Sequence, residues 1–243
     1  MDCYTVFWRE MIAFRRSFWK FTATRLISPF LYLVAFGWGL GRNIAVNGGS
    51  YLDFVVPGII ALSAMTVSFN AVGISLNMSR LYHKTLEEYL LAPVSSFSFV
   101  LGKVLAGTVR GLAAALIILV LGFLFGARPA AGIWFFAVVF LTCFLFAALG
   151  VVAAMTVPSH EDMSNFSTFV ILPMAFLCGT FFRAENLPAI VADIIYLLPL
   201  THTSHALRSL AGGDGLPVQS LLVLAAYAMV FLFAAVWVIR RLR

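Results

Sequence analysis

Three groups of side chains in this 243-residue chain come nearest to types and spacings that do chemistry. The first is Gly102-Lys103. A phosphate-binding loop needs Gly, four residues, Gly-Lys and then Ser or Thr, so that backbone N–H groups cradle the phosphates. Here Val104 follows the lysine and Phe97 stands where the first glycine belongs, so the chain carries no nucleotide-hydrolysing loop. The second is His202 and His205, separated by two residues and near Asp193 and Glu185. Such donors hold zinc, but there is no HExxH and the spacing defines no third ligand; they read as polar residues at an interface, and no metal is expected. The third is Cys3, Cys143 and Cys178, which form no CxxC pair; two lie inside apolar runs and read as packing residues.

A fourth pattern is polar rather than reactive. Ser63, Thr66, Asn70, Gly73 and Asn77 recur at spacings of three and four, a stripe down one helix face. Ser164, Ser167, Ile171, Met174 and Cys178 make a milder version further on. Asn70 falls at mid-run, where facing lipid would be costly, so it must face protein or water. One reading is the lining of a translocation cavity (Ser63, Thr66, Asn70, Gly73, Asn77, Ser167 and Met174). The other is close packing with interhelical hydrogen bonds, which favours the same residue types; Gly37–Gly41 and Gly107–Gly111 are GxxxG spacings, common by chance and read only as close-contact points.

The elements that carry these residues are membrane helices. The composition is 62% hydrophobic and 11% charged, with the charge confined to breaks between long apolar runs. A bilayer core about 30 Å thick needs roughly 20 apolar residues per helix. The runs are continuous rather than alternating, so helices and not barrel strands satisfy the backbone. The expected fold is an all-α polytopic membrane protein, one domain over 1–243 with no room for a soluble domain. Six spans are expected at 22–41, 54–76, 97–125, 133–156, 166–182 and 216–239. The net charge of +6 would suggest nucleic acid for a soluble protein; here it reads as cytoplasmic anchoring, with no nucleic-acid partner.

Six spans place both termini on one side with Arg9, Arg15, Arg16, Lys20, Arg25, Arg80, Lys84, Lys103, Arg110, Arg240, Arg241 and Arg243. The other side holds Arg42, Arg128, Arg183 and Arg208. By the positive-inside rule the first side is cytoplasmic, in the cell (inner) membrane. Residues 187–200 are apolar but short, carry Asp193 and stop at Pro199. Together with a second short helix capped by Thr201 and ended by Gly212-Gly213, they read as a re-entrant helical hairpin, within an extracytoplasmic segment 183–215 between spans five and six. Counting them as a seventh span would put Arg240–Arg243 outside.

Residues 1–21 read as an amphipathic interfacial helix. Tyr4, Phe7, Trp8, Met11, Phe14, Phe18 and Trp19 share one face, with Arg9, Arg16 and Lys20 opposite and Arg15 an exception. Those charges also interrupt any apolar core, so the segment is not a cleavable signal. The loop 77–96 reads as a short amphipathic helix with Tyr82, Leu86 and Tyr89 on one side, halted by Pro93.

That loop carries a resemblance. Leu86-Glu87-Glu88-Tyr89-Leu90-Leu91-Ala92-Pro93-Val94-Ser95 resembles the corresponding loop of the type-2 integral membrane family of ATP-binding-cassette (ABC) exporters. Tyr51-Leu52-Asp53-Phe54-Val55-Val56-Pro57-Gly58, Leu172-Pro173, Gly179-Thr180-Phe181-Phe182, Glu185-Asn186-Leu187-Pro188 and Ala206-Leu207-Arg208 are similar to further family segments in the right order; Leu198-Pro199 departs from the family's more frequent Asn-Pro. The likeness is to multidrug and nodulation-factor (lipo-oligosaccharide) export permeases. It implies a non-enzymatic permease that pairs with a second copy as a homodimer, contacts membrane lipids and works with two copies of a separate ATPase. ATP and Mg would be bound on that partner and no cofactor on this chain. It also implies that loop 77–96 is a coupling helix, using Arg80, Tyr82, Leu86, Glu87, Glu88 and Tyr89 against an ATPase groove. The cargo would be amphipathic or lipid-linked: a drug, lipid or glycolipid. The rival classes are an ATP-independent channel or ion-coupled carrier and a purely structural subunit. The span cores hold almost no ionisable group and no inverted repeat is visible, which disfavours ion coupling.

Overall fold

A computed structural model of the chain describes residues 2–35, 45–46, 49–82, 84–92, 94–177, 193, 195–213 and 215–241. Apart from a hairpin of two-residue strands, β1 (Ala45–Val46) against β2 (Gly49–Ser50), the described chain is helical. The helices are α1 (Asp2–Val34), α2 (Tyr51–Leu81), α3 (Thr85–Leu91), α4 (Ser96–Leu124), α5 (Ile133–Thr156), α6 (His160–Phe166), α7 (Leu172–Leu177), α8 (Pro199–Gly212) and α9 (Val218–Arg241); a π-helical turn, Ser167–Ile171, joins α6 to α7.

Local chemistry sets the ends. Ser95 caps α4 by accepting the Ser98 N–H at 3.1 Å, and Ser159 caps α6 by accepting that of Asp162 at 3.0 Å. Gly126 and Gly213 end α4 and α8 at φ 94° and 82°, a conformation that favours glycine. Thr201, expected to cap α8, instead lies in its first turn and donates to the Ile195 carbonyl at 2.6 Å; Leu198 occupies the cap position.

Among the described residues, four helices are long and apolar enough to cross a membrane: α2, α4, α5 and α9. They coincide with the second, third, fourth and sixth expected spans. The first and fifth expected spans run into 36–41 and 178–182, outside the described residues, as do the first arm of the expected hairpin (183–192) and the Gly37/Gly41 pair. The interfacial segment and the start of the first expected span form one unbroken helix, α1; its boundary near residue 21 is not marked by a break. Outward-facing Leu116, Val120, Phe123, Val230, Phe233 and Trp237 form the apolar surface that lipid would cover.

α5 is the hub, packed against α2, α4, α8 and α9. Its crossing with α2 is glycine on both sides. A Cβ on Gly150 would lie 2.8 Å from the Phe69 carbonyl oxygen and 3.1 Å from the Gly73 nitrogen, backbone atoms that cannot swing away. Gly107 and Gly111 face Val72, Ala147, Ser68 and Cys143 in the same way and are the close-contact points expected of their spacing. Gly150→Leu should therefore cost about 3 kcal/mol or more, since overpacking is resisted by backbone on both sides. The check is the Tm of the purified protein beside Gly132→Ala, where open space surrounds the new methyl and only a small N-cap effect, well below that of Gly150→Leu, is expected.

α8 folds back against α2, α5 and α9. Thr203 shares a buried 2.9 Å hydrogen bond with Thr142 of α5, and the Arg208 guanidinium lies 3.8 Å from the Phe54 ring while its Nε donates to the Phe54 carbonyl.

Candidate cavity and coupling region

A cavity of about 290 Å³ opens between α1, α2 and the α6–π–α7 helix. Ser63, Thr66 and Asn70 form its α2 wall, Ser167 and Ile171 its π-turn wall, and Thr24, Ser28 and Tyr32 its α1 wall. The two polar stripes thus meet across one space. The π-turn follows from Pro173, which has no N–H to return to the Phe169 carbonyl, so the helix widens before it. Thr66 spends its hydroxyl on the Leu62 carbonyl at 2.9 Å. Asn70 makes no hydrogen bond to any described residue, so its amide is left to whatever fills the cavity.

Three residues named with this lining are not part of it. Gly73 is the α2–α5 crossing point, Asn77 is buried with its side-chain oxygen 3.2 Å from His160 Nδ1, and Met174 packs into the core. The stripe divides: its first three members face the cavity and its last two face protein.

The coupling loop divides similarly. Arg80 donates to the carbonyls of Ala154 (3.1 Å), Met155 (2.6 Å) and Val157 (3.3 Å), satisfying the C-terminal end of α5. Leu86 is buried, and Tyr89 turns inward, its hydroxyl accepting from Arg9 at 2.6 Å. Tyr82, 63% exposed, and Glu88 face outward. The Glu87 side chain, His83 and Pro93 lie outside the described residues. Lys84, left-handed at φ 53°, marks the sharp turn from α2 into α3.

Beneath α3 lies an ionic cluster that the sequence reading did not assemble. Glu10 of α1 binds Lys103 Nζ at 2.6 Å and Arg110 at 2.8 Å, with side-chain exposures of 14%, 8% and 13%. Burial alone would push the Glu10 carboxyl up; the charge and hydrogen bond of Lys103, then those of Arg110, outweigh it and hold it below its ordinary value. One sequence signal pointed here: Lys103 and Arg110, seven residues apart in an apolar run, need an acid, and Asp2 and Glu10 are the acids before Asp53. The α1 face packed on α4 is Cys3, Val6 and Glu10, with Gly102 admitting the Cys3 carbonyl, while Tyr4, Trp8 and Trp19 of the expected apolar face stay exposed.

His202 is engaged with the Tyr196 carbonyl at 2.9 Å, and among the described residues no three His, Cys, Asp or Glu side chains converge on a metal-sized point. Glu185, the other carboxylate considered, is not among them.

The model of the ABC-2 type transporter family matches residues 1–211. The chain is 31% identical to nodulation protein J of Rhizobium meliloti over 96% of its own length and 94% of that protein's, and 32% identical to nodulation protein J of Neorhizobium galegae over 93% and 91%. It is 28% identical to the inner membrane transport permease YadH of Escherichia coli K12 over 82% and 78%.

Proposed function

The chain belongs to the ABC-2 type transporter membrane family, and from that premise we propose that it is the permease of an ATP-driven exporter for an amphipathic or lipid-linked cargo. Six spans, a re-entrant hairpin ending in α8 and cytoplasmic termini in the inner membrane complete the topology; the basic residues gathered on one side support it. Two copies of the chain and two separate ATPase subunits form the working complex, with ATP and Mg on the motor, since no phosphate-binding loop exists here.

One observation carries the reading: α1 is a continuous helix that touches both the coupling region and the cavity. Arg9 grips Tyr89 of α3, Glu10 grips α4, and Thr24, Ser28 and Tyr32 of the same helix line the cavity. Closure of the motor pushes α3. The Arg9–Tyr89 contact passes that push to α1, and the far half of α1 moves against Ser63, Thr66 and Asn70. The coupling is reciprocal, so cargo alters the ATPase rate. The cavity pairs hydroxyls and the Asn70 amide with Tyr32, Leu62 and Phe176, the mixed wall that a molecule with polar and apolar parts would meet.

The test is ATPase stimulation of the purified complex across lipids, glycolipids and drugs. A response only to small hydrophilic ions, or robust transport without any ATPase, overturns the reading and favours the channel or carrier. Within it, Asn70→Leu should leave the stability within about 0.5 kcal/mol of wild type and Tm nearly unchanged, because no interhelical hydrogen bond is lost. The same variant should change transport rate or cargo preference several-fold. A proportionate loss of stability and transport would instead make Asn70 a packing residue.

A further inference from the structure

A second cavity, about 390 Å³, lies under α3 between α1, α2 and α4, and its charge does not balance. Arg9, Lys103 and Arg110 border it against the one carboxylate of Glu10, a surplus of two positive charges. The donors are not used up. Lys103 gives one of its three N–H bonds to Glu10, Arg9 gives one to Tyr89, and Arg110 Nε is buried without a partner among the described residues. Hydroxyls of Ser17, Ser75 and Thr85 complete a polar wall. Lys103 and Arg110 are mostly buried and Arg9 stands at the exposed rim; cations in excess of their acids are stabilised by an anion, and guanidinium with ammonium and hydroxyl donors is the set that takes phosphate oxygens.

We propose that this cavity binds the phosphate of an anionic phospholipid headgroup. Its position supports the lipid as the source, and here the inference rests on the membrane orientation given above. Phe14, at the edge of the aromatic face of α1, borders the cavity and packs edge-on against Phe18, so a headgroup entering there leaves its acyl chains toward that face. Basic pockets between helices on the cytoplasmic side recognise lipid headgroups in this way. A zwitterionic headgroup would bring its own cation into a cavity already two charges positive.

The site would hold the N-terminal half of α1 in place against α3 and α4 by charge neutralisation, independent of cargo. The experiment uses the full chain in detergent, with phosphatidylglycerol, phosphatidylcholine or inorganic phosphate added. Thermal shift and native mass spectrometry read binding, and no transport or ATPase is measured, so failure here leaves the export reading standing. Phosphatidylglycerol should raise Tm saturably and remain bound, and phosphatidylcholine should not. Arg9→Gln, a change at an exposed position, should weaken apparent affinity about tenfold, and Arg9→Lys should keep most of it. Arg16→Gln, an exposed cation outside the cavity, should have no such effect. Equal binding of both lipids, equal weakening by Arg9→Gln and Arg16→Gln, or saturation by inorganic phosphate at the concentration that suffices for phosphatidylglycerol would each overturn the proposal.

Discussion

Exchanging Glu87 and Glu88 for lysine is expected to weaken association with the ATPase subunit by about thirtyfold or more while the protein still inserts and folds. The α3 helix is anchored from within, by buried Leu86 and by Tyr89 held on Arg9. Glu88 points outward and Arg80 is committed to the end of α5, so the acidic side of α3 is what a basic groove on the motor would read. Turning two attractive contacts into like-charge ones costs about 2 kcal/mol or more, which converts to the fold-change stated. Co-purification with the motor and ATP-dependent export should fall together, and Tm of the isolated chain should stay unchanged. Normal recruitment and export by the double variant would remove α3 as the docking element. Tyr82, exposed at the bend before α3, adds a second probe: Tyr82→Ala should weaken the same association without the charge change.

The second large effect belongs to Glu10. Glu10→Ala leaves Lys103 and Arg110 mostly buried with no carboxylate, and removing one partner of such a cluster costs about 3–5 kcal/mol. The loss should appear as a lowered Tm and as early release of α1 in hydrogen exchange. Neutralising the whole cluster together, Glu10→Leu with Lys103→Met and Arg110→Leu, should recover most of the stability, because well-packed apolar side chains replace charge at little cost. A triple variant as unstable as Glu10→Ala would show that packing, not charge, is the source. The pH dependence has a definite sign. The folded carboxyl titrates below its ordinary 4.5, so the stabilisation is whole above that value and is lost as pH falls through the lower folded one. Between pH 5 and 8 Glu10 contributes no slope.

The sequence alone determined the membrane helices, because span length and hydrophobicity are local quantities that lipid reads directly. The second, third, fourth and sixth expected spans correspond to α2, α4, α5 and α9, and the family resemblance carried by 86–95 agrees with the match over 1–211. The small-residue spacing also flagged Gly107 and Gly111, since helix faces repeat with a known period.

Which neighbour each face meets was decided by tertiary structure. Periodicity placed Ser63 through Asn77 on one stripe, but the close contact of α2 with α5 at Gly73 and Gly150 splits it, with Ser63, Thr66 and Asn70 at the cavity and Asn77 at His160. Wheel geometry gave α1 an aromatic face and a basic face, but not that its Cys3–Val6–Glu10 face would pack on α4, where Gly102 admits the Cys3 carbonyl. Arg80 and Tyr89 look like docking residues when the loop is read by itself; the open carbonyls of α5 and the guanidinium of Arg9 claim them from 74 and 80 residues away. The Glu10–Lys103 pair spans 93 residues. Charge desolvated in an apolar bundle must find its opposite, and which one lies within reach depends on how the helices pack, a property no local window contains.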